Sequence, residues 1–448
     1  MSQLKKSLTP IMLWGLGVGY VISGMYFGWN LGLQEGGTLG MAIATFFIII
    51  MYVSFSLSYA ELACAIPKAG GAFDYANRAL GKNVGFIVGI AQAVEFIFAP
   101  PAIAIAVGTY FNLLVPQIPI VVFAISCYLV FTALNIYGVK AAASFELIVT
   151  FIALAGLILF AFVAAPHFKF SNLTHNAYPN GWIGSFAAIP FAIWCFLGIE
   201  GIGNLAEETI NPQRELVRGF GSAMTTLVIA FLVTFILSIG VNGWEAVVFD
   251  TSGALSDSPL PLVLKRIVAE QSLAFQAVVA LGILGMIASF HGLLLAAGRA
   301  TFELGRVNYI SASFGKIHPK FQTPYIALIG NMIIGIVAVL TGKASVIITI
   351  SVFAALILYI ISMLSLFAFR KKEPTASRPF KVPFFPLTPF LALTIALFST
   401  IAMTYYYWQL ALVFVVLMSI AFVLFKIFVG SKDSKFKIQD SKPNNFEH

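Results

Sequence analysis

Twelve apolar stretches, each long enough to cross a membrane as a helix, recur along the 448-residue chain. A helix needs roughly 20 apolar residues to span a hydrocarbon core of about 30 Å. The pattern therefore predicts an all-α polytopic membrane protein with about twelve transmembrane helices. The predicted spans lie at about 11–33, 40–63, 83–110, 118–138, 145–165, 184–205, 220–242, 271–298, 324–341, 344–369, 387–406 and 409–429.

The low charge content supports this fold class. Only 10% of the residues are charged and 60% are hydrophobic, whereas soluble domains carry about 25% charged residues. A chain with so few charges cannot cover its surface with polar groups in water. The lipid bilayer is therefore its expected surroundings.

The positive charges are unevenly distributed between the two sets of loops. Twelve spans place Lys169, Lys265, Arg266 and Lys343 on one side and all other Lys and Arg residues on the opposite side. The rule that basic loops stay inside makes the crowded side cytoplasmic. We therefore expect a cell-membrane protein with both termini in the cytoplasm. The net charge of +8 then reflects contact with anionic lipid rather than nucleic acid.

The polar segments define the domain organisation. We expect a cytoplasmic segment at 1–10, one transmembrane transporter domain at 11–430 and a cytoplasmic tail at 431–448. The loop at 67–85 is too polar to span and predicts a cytoplasmic turn followed by an interfacial helix. The segment at 243–270 is the largest outside loop.

No cofactor or metal site is expected. Cys64, Cys127 and Cys195 lie inside apolar stretches without disulfide or metal-ligand spacing. They are interpreted as buried small hydrophobic residues.

The first and sixth spans are predicted to be interrupted, because glycines concentrate in 15–32 and 191–208. Glycine lowers the cost of leaving helical geometry, and irregular backbone at membrane depth is tolerated where it lines a cavity. Paired broken helices indicate a transporter site. Alternatively, the glycines only allow close helix packing. The candidate solute-binding residues at the breaks are Ser23, Gly24, Met25, Tyr26, Gly198, Ile199 and Gly201.

Two carboxyl groups, of Glu95 and Glu200, lie deep in predicted spans. Charges at that depth are costly, so such residues are usually functional and either partnered or protonated. We expect Glu200 to carry a proton or to shape the sixth helix. Glu95 is a second coupling candidate, or it satisfies backbone freed by the prolines at 100–101. Glu61 and Glu146, near span ends, are expected at the interface.

Three further side chains are candidates. Trp194 stands four residues before Gly198, on the same helix face, where it can cover a solute and stack on an ammonium group; ordinary packing is the alternative. His291 in span eight could titrate or be a hydrogen-bonded structural histidine. We place Ser289 and His291 with the two deep acids as coupling or gating candidates.

Several segments resemble the amino acid–polyamine–organocation superfamily of permeases. The segment at 194–219, WCFLGIEGIGNLAEETINPQRELVRG, is similar to the superfamily's sixth-helix signature. The segment at 19–27 resembles its glycine-rich first-helix motif, 67–81 its second-to-third helix loop, and 289–328 its eighth-helix region. The similarity extends over nearly the whole chain in order.

This resemblance implies two inverted five-helix repeats, at about 11–165 and 184–369, and two peripheral helices at about 387–429. It places the solute between broken helices one and six, with helices three, eight and ten around it. Some members carry a lysine in the fifth helix in place of a sodium ion, and span five here contains none.

Within the superfamily the chain resembles the ethanolamine permease group at 23–33, 95–104, 145–150 and 289–292. That group commonly has acidic residues at the positions of Met25 and Gly156, which are uncharged here. The resemblance therefore leaves the substrate open between an amino acid and a small organic amine.

The expected function is secondary active transport by alternating access, with H⁺ as the expected coupling ion. An amine or amino-acid antiporter and a sodium-coupled symporter of the same fold are the alternatives. An enzyme would need clustered ligands or a nucleophile with a base, and the spans hold isolated acids and one histidine. A channel or receptor is the other class, and nothing in the sequence suggests a ring of pore residues.

Overall fold

The computed structural model is helical throughout nearly all of the part that it describes, which comprises residue 6, residues 8–137 and residues 139–440. Side chains are described in these ranges except at 139–143 and 428–440. The α-helices are α1 (Pro10–Val21), α2 (Ser23–Tyr26), α3 (Trp29–Ala65), α4 (Ala72–Leu80), α5 (Lys82–Leu114), α6 (Ile120–Tyr137), α7 (Val139–Ala164), α8 (Phe170–Thr174), α9 (Gly181–Ala187), α10 (Ile189–Trp194), α11 (Pro212–Asn242), α12 (Glu245–Val248), α13 (Pro259–Leu264), α14 (Leu273–Arg306), α15 (Tyr325–Val339), α16 (Ala344–Lys372), α17 (Leu387–Tyr406) and α18 (Trp408–Asp440). Short 3-10 helices occupy Ala165–His167, Ile199–Glu208 and Ala312–Gly315.

The predicted fold class is confirmed. Ten of the described helical segments are long and apolar enough to cross a membrane, and α1 and α15 are shorter apolar helices. All twelve predicted spans coincide with helical segments. The first span is divided into α1, α2 and the start of α3, and the sixth into α9, α10 and a 3-10 helix, so both predicted interruptions are present.

Helices α5 and α14 form the centre of the bundle. Helix α5 packs along α14 and α16, and α14 also packs along α7. Most residues of α5 and α14 are buried, whereas most of the α18 residues with described side chains, 408–427, are exposed. Since the exposed side chains of α18 are largely apolar, they suit contact with lipid rather than water. The centre of the bundle is where α1 and the 3-10 helix Ile199–Glu208 meet α14.

Two connecting segments contain short helices, one of which was predicted. Helix α4 forms the helix expected within 67–85, and it buries Phe73 and Ala76 on one face while Arg78 remains exposed. The segment at 243–270 contains α12 and α13. All three cysteines are buried and free.

The chain ends differ in part from expectation. Helix α18 continues to Asp440, beyond the start of the predicted tail at 431. Residues 1–5, 7, 138 and 441–448 lie outside the described residues, so the predictions for both terminal segments fall partly outside them.

Candidate functional site

The first break interrupts the chain between α1 and α3. Helix α1 ends at Val21, α2 supplies a single turn, and Phe27 is extended. Gly28 then adopts a φ of 90°, a conformation that side-chain-bearing residues rarely tolerate. The chain can therefore turn directly into α3 at this glycine.

Side chains from two other helices hold the first break. The Ser289 hydroxyl of α14 donates to the Gly19 carbonyl at 2.6 Å and accepts from the Ser23 N–H at 2.9 Å. The Tyr110 hydroxyl of α5 donates to the Tyr26 carbonyl at 2.8 Å. Broken helices leave backbone groups without intrahelical partners, and these contacts satisfy several of them.

The second break lies between α10 and the 3-10 helix Ile199–Glu208. Helix α10 ends at Trp194, and Gly198 adopts a left-handed φ of 101°. The Gly198 carbonyl then accepts from the Gly201 N–H at 3.0 Å. A residue with a side chain would be strained at Gly198, so the sequence places glycine where the backbone reverses its twist.

The two breaks touch each other. A Cβ on Gly24 would lie 2.9 Å from the Trp194 carbonyl and 3.0 Å from Cys195 Cα. The Trp194 indole N–H donates to the Phe27 carbonyl at 3.2 Å, and the two rings meet edge to face with centroids 5.3 Å apart. Trp194 therefore crosses from the second break and packs against the first.

The candidate solute-binding residues occupy different environments around this contact. All are buried. Gly24 and Gly198 lie at the backbone of the breaks, but Gly201 packs against the Tyr20 ring, where a Cβ would approach the ring to 2.7 Å. The Tyr26 hydroxyl donates to the Ala153 carbonyl at 2.6 Å, which ties the first break to α7.

A chain of oxygen atoms begins at Glu200. Its Oε2 lies 3.1 Å from the Tyr359 hydroxyl of α16, which lies 2.9 Å from the Tyr52 hydroxyl of α3. The Tyr52 hydroxyl lies 3.2 Å from the Ile193 carbonyl. The chain thus leads from the deep acid to the residue that precedes Trp194.

The hydrogens available to this chain are countable. Three oxygen–oxygen contacts need three hydrogens, and the hydroxyls of Tyr52 and Tyr359 supply two. A proton on Glu200 supplies the third, and then each contact is a hydrogen bond that ends on the Ile193 carbonyl. Without that proton, one of the three contacts has no hydrogen.

The Glu95 carboxyl lies beside that of Glu200. Neither Glu95 oxygen has a hydrogen-bond donor among the described residues. The prediction that Glu95 satisfies backbone freed by the prolines therefore has no contact to support it, and α5 runs without interruption through Pro100 and Pro101. Two adjoining buried carboxyl groups cannot both be ionised at low cost, so the pair is suited to holding a proton.

Glu61 and Glu146, which we expected at the membrane interface, lie inside the helix bundle, and their depth in the membrane stays a prediction. Both are fully buried. Glu61 accepts two hydrogen bonds from the Arg370 guanidinium, at 2.8 Å and 2.6 Å. Glu146 Oε2 lies 3.0 Å from His291 Nδ1. Neighbouring helices cover these span ends. The position of the two acids in the sequence alone did not indicate this burial.

Sequence reasoning missed Tyr52, Tyr359 and Glu146. A tyrosine in an apolar span is common, and only its contact with Glu200 distinguishes Tyr359. The available signal was the chemical one: each buried acid in a chain with few charges must have a partner or a proton. Among the described residues, no group of three or more His, Cys, Asp or Glu side chains could hold a metal ion.

A family model described as amino acid permease matches residues 12–440. The chain belongs to the amino acid permease family. Its members named below are transporters rather than enzymes, which agrees with the expectation from the sequence.

Several relatives match this permease over most of their length. An uncharacterized transporter of Rhizobium meliloti (strain 1021) is 30% identical over 407 residues, which cover 86% of this chain and 84% of the relative. The branched-chain amino acid permease BcaP of Bacillus subtilis is 27% identical, with 88% and 87% covered. The low-affinity putrescine importer PlaP of Escherichia coli (strain K12) is 27% identical, with 86% of each covered.

Proposed function

We propose that this permease imports or exchanges an amino acid or a small organic amine, such as ethanolamine, by alternating access coupled to protons. The observation that most strongly supports this proposal is the direct contact of the two broken helices at Gly24 and Trp194. Irregular backbone at membrane depth is expected where a solute binds. The relatives' names, which include an amino acid permease and a putrescine importer, support solutes with an amino group.

The solute site lies between the two breaks. Ser23, Gly24, Met25 and Tyr26 line it on one side, and Gly198, Ile199 and Gly201 on the other. The rings of Trp194 and Phe27 meet there, and aromatic faces attract ammonium groups. A solute amine displacing the contact between these rings would remain between them, so Trp194 acts as its cover.

Glu200 couples proton binding to this site through the hydroxyl chain. When Glu200 holds a proton, all three contacts to the Ile193 carbonyl are hydrogen bonds. When the proton leaves, the chain loses one hydrogen bond. Because Ile193 directly precedes Trp194, this loss changes the hydrogen bonding of the backbone next to the residue that covers the solute. Glu95 shares the proton.

Transport by purified protein in proteoliposomes tests the proposal. We expect at least one of labelled ethanolamine, branched-chain amino acids or putrescine to accumulate under an inward proton gradient, and to exchange at equal pH. Replacing sodium by choline distinguishes proton from sodium coupling. If the protein transports none of the three solutes, the substrate assignment is wrong.

Glu200→Gln tests the coupling role. The amide keeps the shape of the side chain but does not titrate. We therefore expect pH-driven accumulation to be lost while exchange of solute at equal pH continues. Glu270→Gln, at an exposed acid outside the bundle, is the matched control. Normal accumulation by Glu200→Gln excludes the coupling role, and loss of both modes indicates a structural one.

Both termini lie in the cytoplasm and the protein resides in the cell membrane. The asymmetry of Lys and Arg residues between the loops supports this orientation. A reporter that is active only outside the cytoplasm, fused after Lys435, is expected to be silent. Activity of that fusion would place the C-terminus outside the cytoplasm and contradict this orientation.

A further inference from the structure

A second titratable pair lies away from the Glu95–Glu200 pair. Glu146 of α7 and His291 of α14 are almost fully buried, with Glu146 Oε2 3.0 Å from His291 Nδ1. Within the described part of the chain, Glu146 Oε1 and His291 Nε2 have no hydrogen-bond partner. Each side chain therefore has one satisfied and one unsatisfied polar atom, which leaves room for a change in protonation.

Few charged groups surround this pair. Helix α1 contributes the Tyr20 ring, which packs against Gly292 beside Glu146 Oε1, and α6 contributes Asn135, whose amide donates to the His291 carbonyl at 3.4 Å. Beyond Tyr20 lies the ion pair of Arg299 with Glu208, at 2.7 Å. That ion pair is neutral as a unit, so it does not neutralise a net charge on Glu146 and His291.

The backbone of α1 covers the pair. A Cβ added to Gly19 would overlap Glu146 Oε1 and approach the Thr150 hydroxyl to 2.8 Å. The same stretch of α1 is held to α14 by Ser289, which donates to the Gly19 carbonyl. Water can reach Glu146 from this side only if α1 separates from α7 and α14.

The number of protons sets the net charge of the pair. With no titratable proton bound, a carboxylate faces a neutral imidazole and the net charge of the pair is −1. With one such proton, on either residue, the net charge is zero, and with two it is +1. Because an uncompensated buried charge is strongly unfavourable, the covered pair holds one proton.

We propose that Glu146 and His291 form a second proton-binding site, which holds one proton while α1 covers it and releases that proton to water when α1 moves away. The proposal rests on the alternating access of the proposed function, since it requires two positions of α1. It does not depend on the identity of the solute. The site makes closure of α1 sensitive to pH independently of Glu200.

The direction of the pH effect follows from ordinary pKa values. The reference pKa of a glutamate side chain in water is about 4.3 and that of a histidine side chain is about 6.5. Above about pH 6.5 the pair in the open state binds no titratable proton, so closure of α1 takes up one proton from water. Each rise of one pH unit therefore lowers the closed-to-open ratio about tenfold. Between about pH 4.3 and 6.5 both states bind one proton and the ratio is level.

Spin-label distances measure this ratio without any solute. We choose labels at Ile11→Cys, exposed on α1, and Val307→Cys, exposed at the end of α14, in a background without the three native cysteines. The protein is reconstituted in lipid nanodiscs, and the closed and open populations are measured between about pH 5 and pH 8, where histidine titrates. The wild type is expected to show a change of slope near about pH 6.5.

Two substitutions change the pH dependence in different ways. In Glu146→Gln the covered imidazole is neutral, so the ratio is level above about pH 6.5 and rises with pH below it. In His291→Asn the covered carboxyl keeps its proton, so the tenfold fall per pH unit extends below about pH 6.5. Comparison with the wild type cancels any common contribution from Glu95 and Glu200.

Three outcomes overturn the proposal. A single distance at every pH shows that α1 does not separate. Variants that shift the ratio by the same factor at all pH values show a structural role. A wild-type ratio without a change of slope overturns it even if both variants fail to fold. If the expected slopes appear but no solute is transported, the proton site stands and only the substrate assignment fails.

Discussion

Two buried acidic sites in this permease are satisfied to very different degrees. Glu61 accepts two guanidinium hydrogen bonds from Arg370, and its Oε2 also accepts from the Val382 N–H at 2.7 Å. Glu95 and Glu200 instead lie beside each other, and Glu200 also meets the Tyr359 hydroxyl. The first site pairs a carboxylate with a base, whereas the second places two acids side by side.

The difference follows from position in the bundle. Arg370 lies in the last turn of α16, and 21% of its side chain is exposed, so its charge retains some contact with water. Arginine near a helix C-terminus is also favoured by the helix dipole. Glu200 lies beside the second break, where both acids are fully buried. An acid near the end of a span can be paired with a base, whereas the acid at the break meets a tyrosine hydroxyl and another acid.

Glu61→Gln is the substitution with the largest expected effect. It leaves the Arg370 charge without its carboxylate, and we expect a loss of about 3 kcal/mol in the free energy of unfolding. Unfolding in mixed micelles measures it. The double variant Glu61→Gln/Arg370→Met is expected to recover part of the loss, because no unpaired charge remains. If Glu61→Gln alone is as stable as the wild type, the Glu61 site does not differ from the Glu95–Glu200 site in its dependence on charge.

Gly198→Ala tests the backbone beside the second site. The left-handed φ of 101° is strained for alanine, so we expect a loss of about 1–3 kcal/mol in the free energy of unfolding. Gly221→Ala is the matched control, because Gly221 lies inside helix α11 and a Cβ there meets no atom within 4 Å. The control is expected to gain up to about 1 kcal/mol. Equal effects would show that the break does not depend on its glycine.

Glu95→Gln is expected to change stability little, within about 1 kcal/mol, in contrast to Glu61→Gln. A neutral amide replaces an acid that lies beside another acid, so no buried charge loses a partner. The same unfolding experiment measures both variants. A loss as large as that of Glu61→Gln would show that Glu95 is a fixed charge.

Arg78→Gln is expected to have the smallest effect. Arg78 pairs with Glu373 at 2.6 Å on the exposed surface, and the hydrogen bond from Arg78 lowers the pKa of Glu373. The pair therefore contributes stability above about pH 4.3 and loses it as the pH falls through the lowered pKa. Salt screens exposed pairs, so the variant and the wild type are expected to converge at high ionic strength.

The sequence by itself determined where the apolar helices of membrane-spanning length lie. The length of each apolar stretch predicted the twelve helical spans. Glycine density predicted breaks within 15–32 and 191–208, and the structure has them at 22–28 and 195–198. These features are local. Backbone geometry and the thickness of the hydrocarbon core act on each segment separately.

Only the tertiary structure decided which buried groups meet. The pairing of Glu61 with Arg370, of Glu146 with His291, and of Glu200 with Tyr359 joins residues far apart in the chain. In a soluble protein, an amphipathic pattern shows which face of a helix points inward. Apart from a few polar residues, these spans are apolar around the whole helix, so the apolar pattern does not show which face points inward. The packing of the bundle sets the partner of each acid.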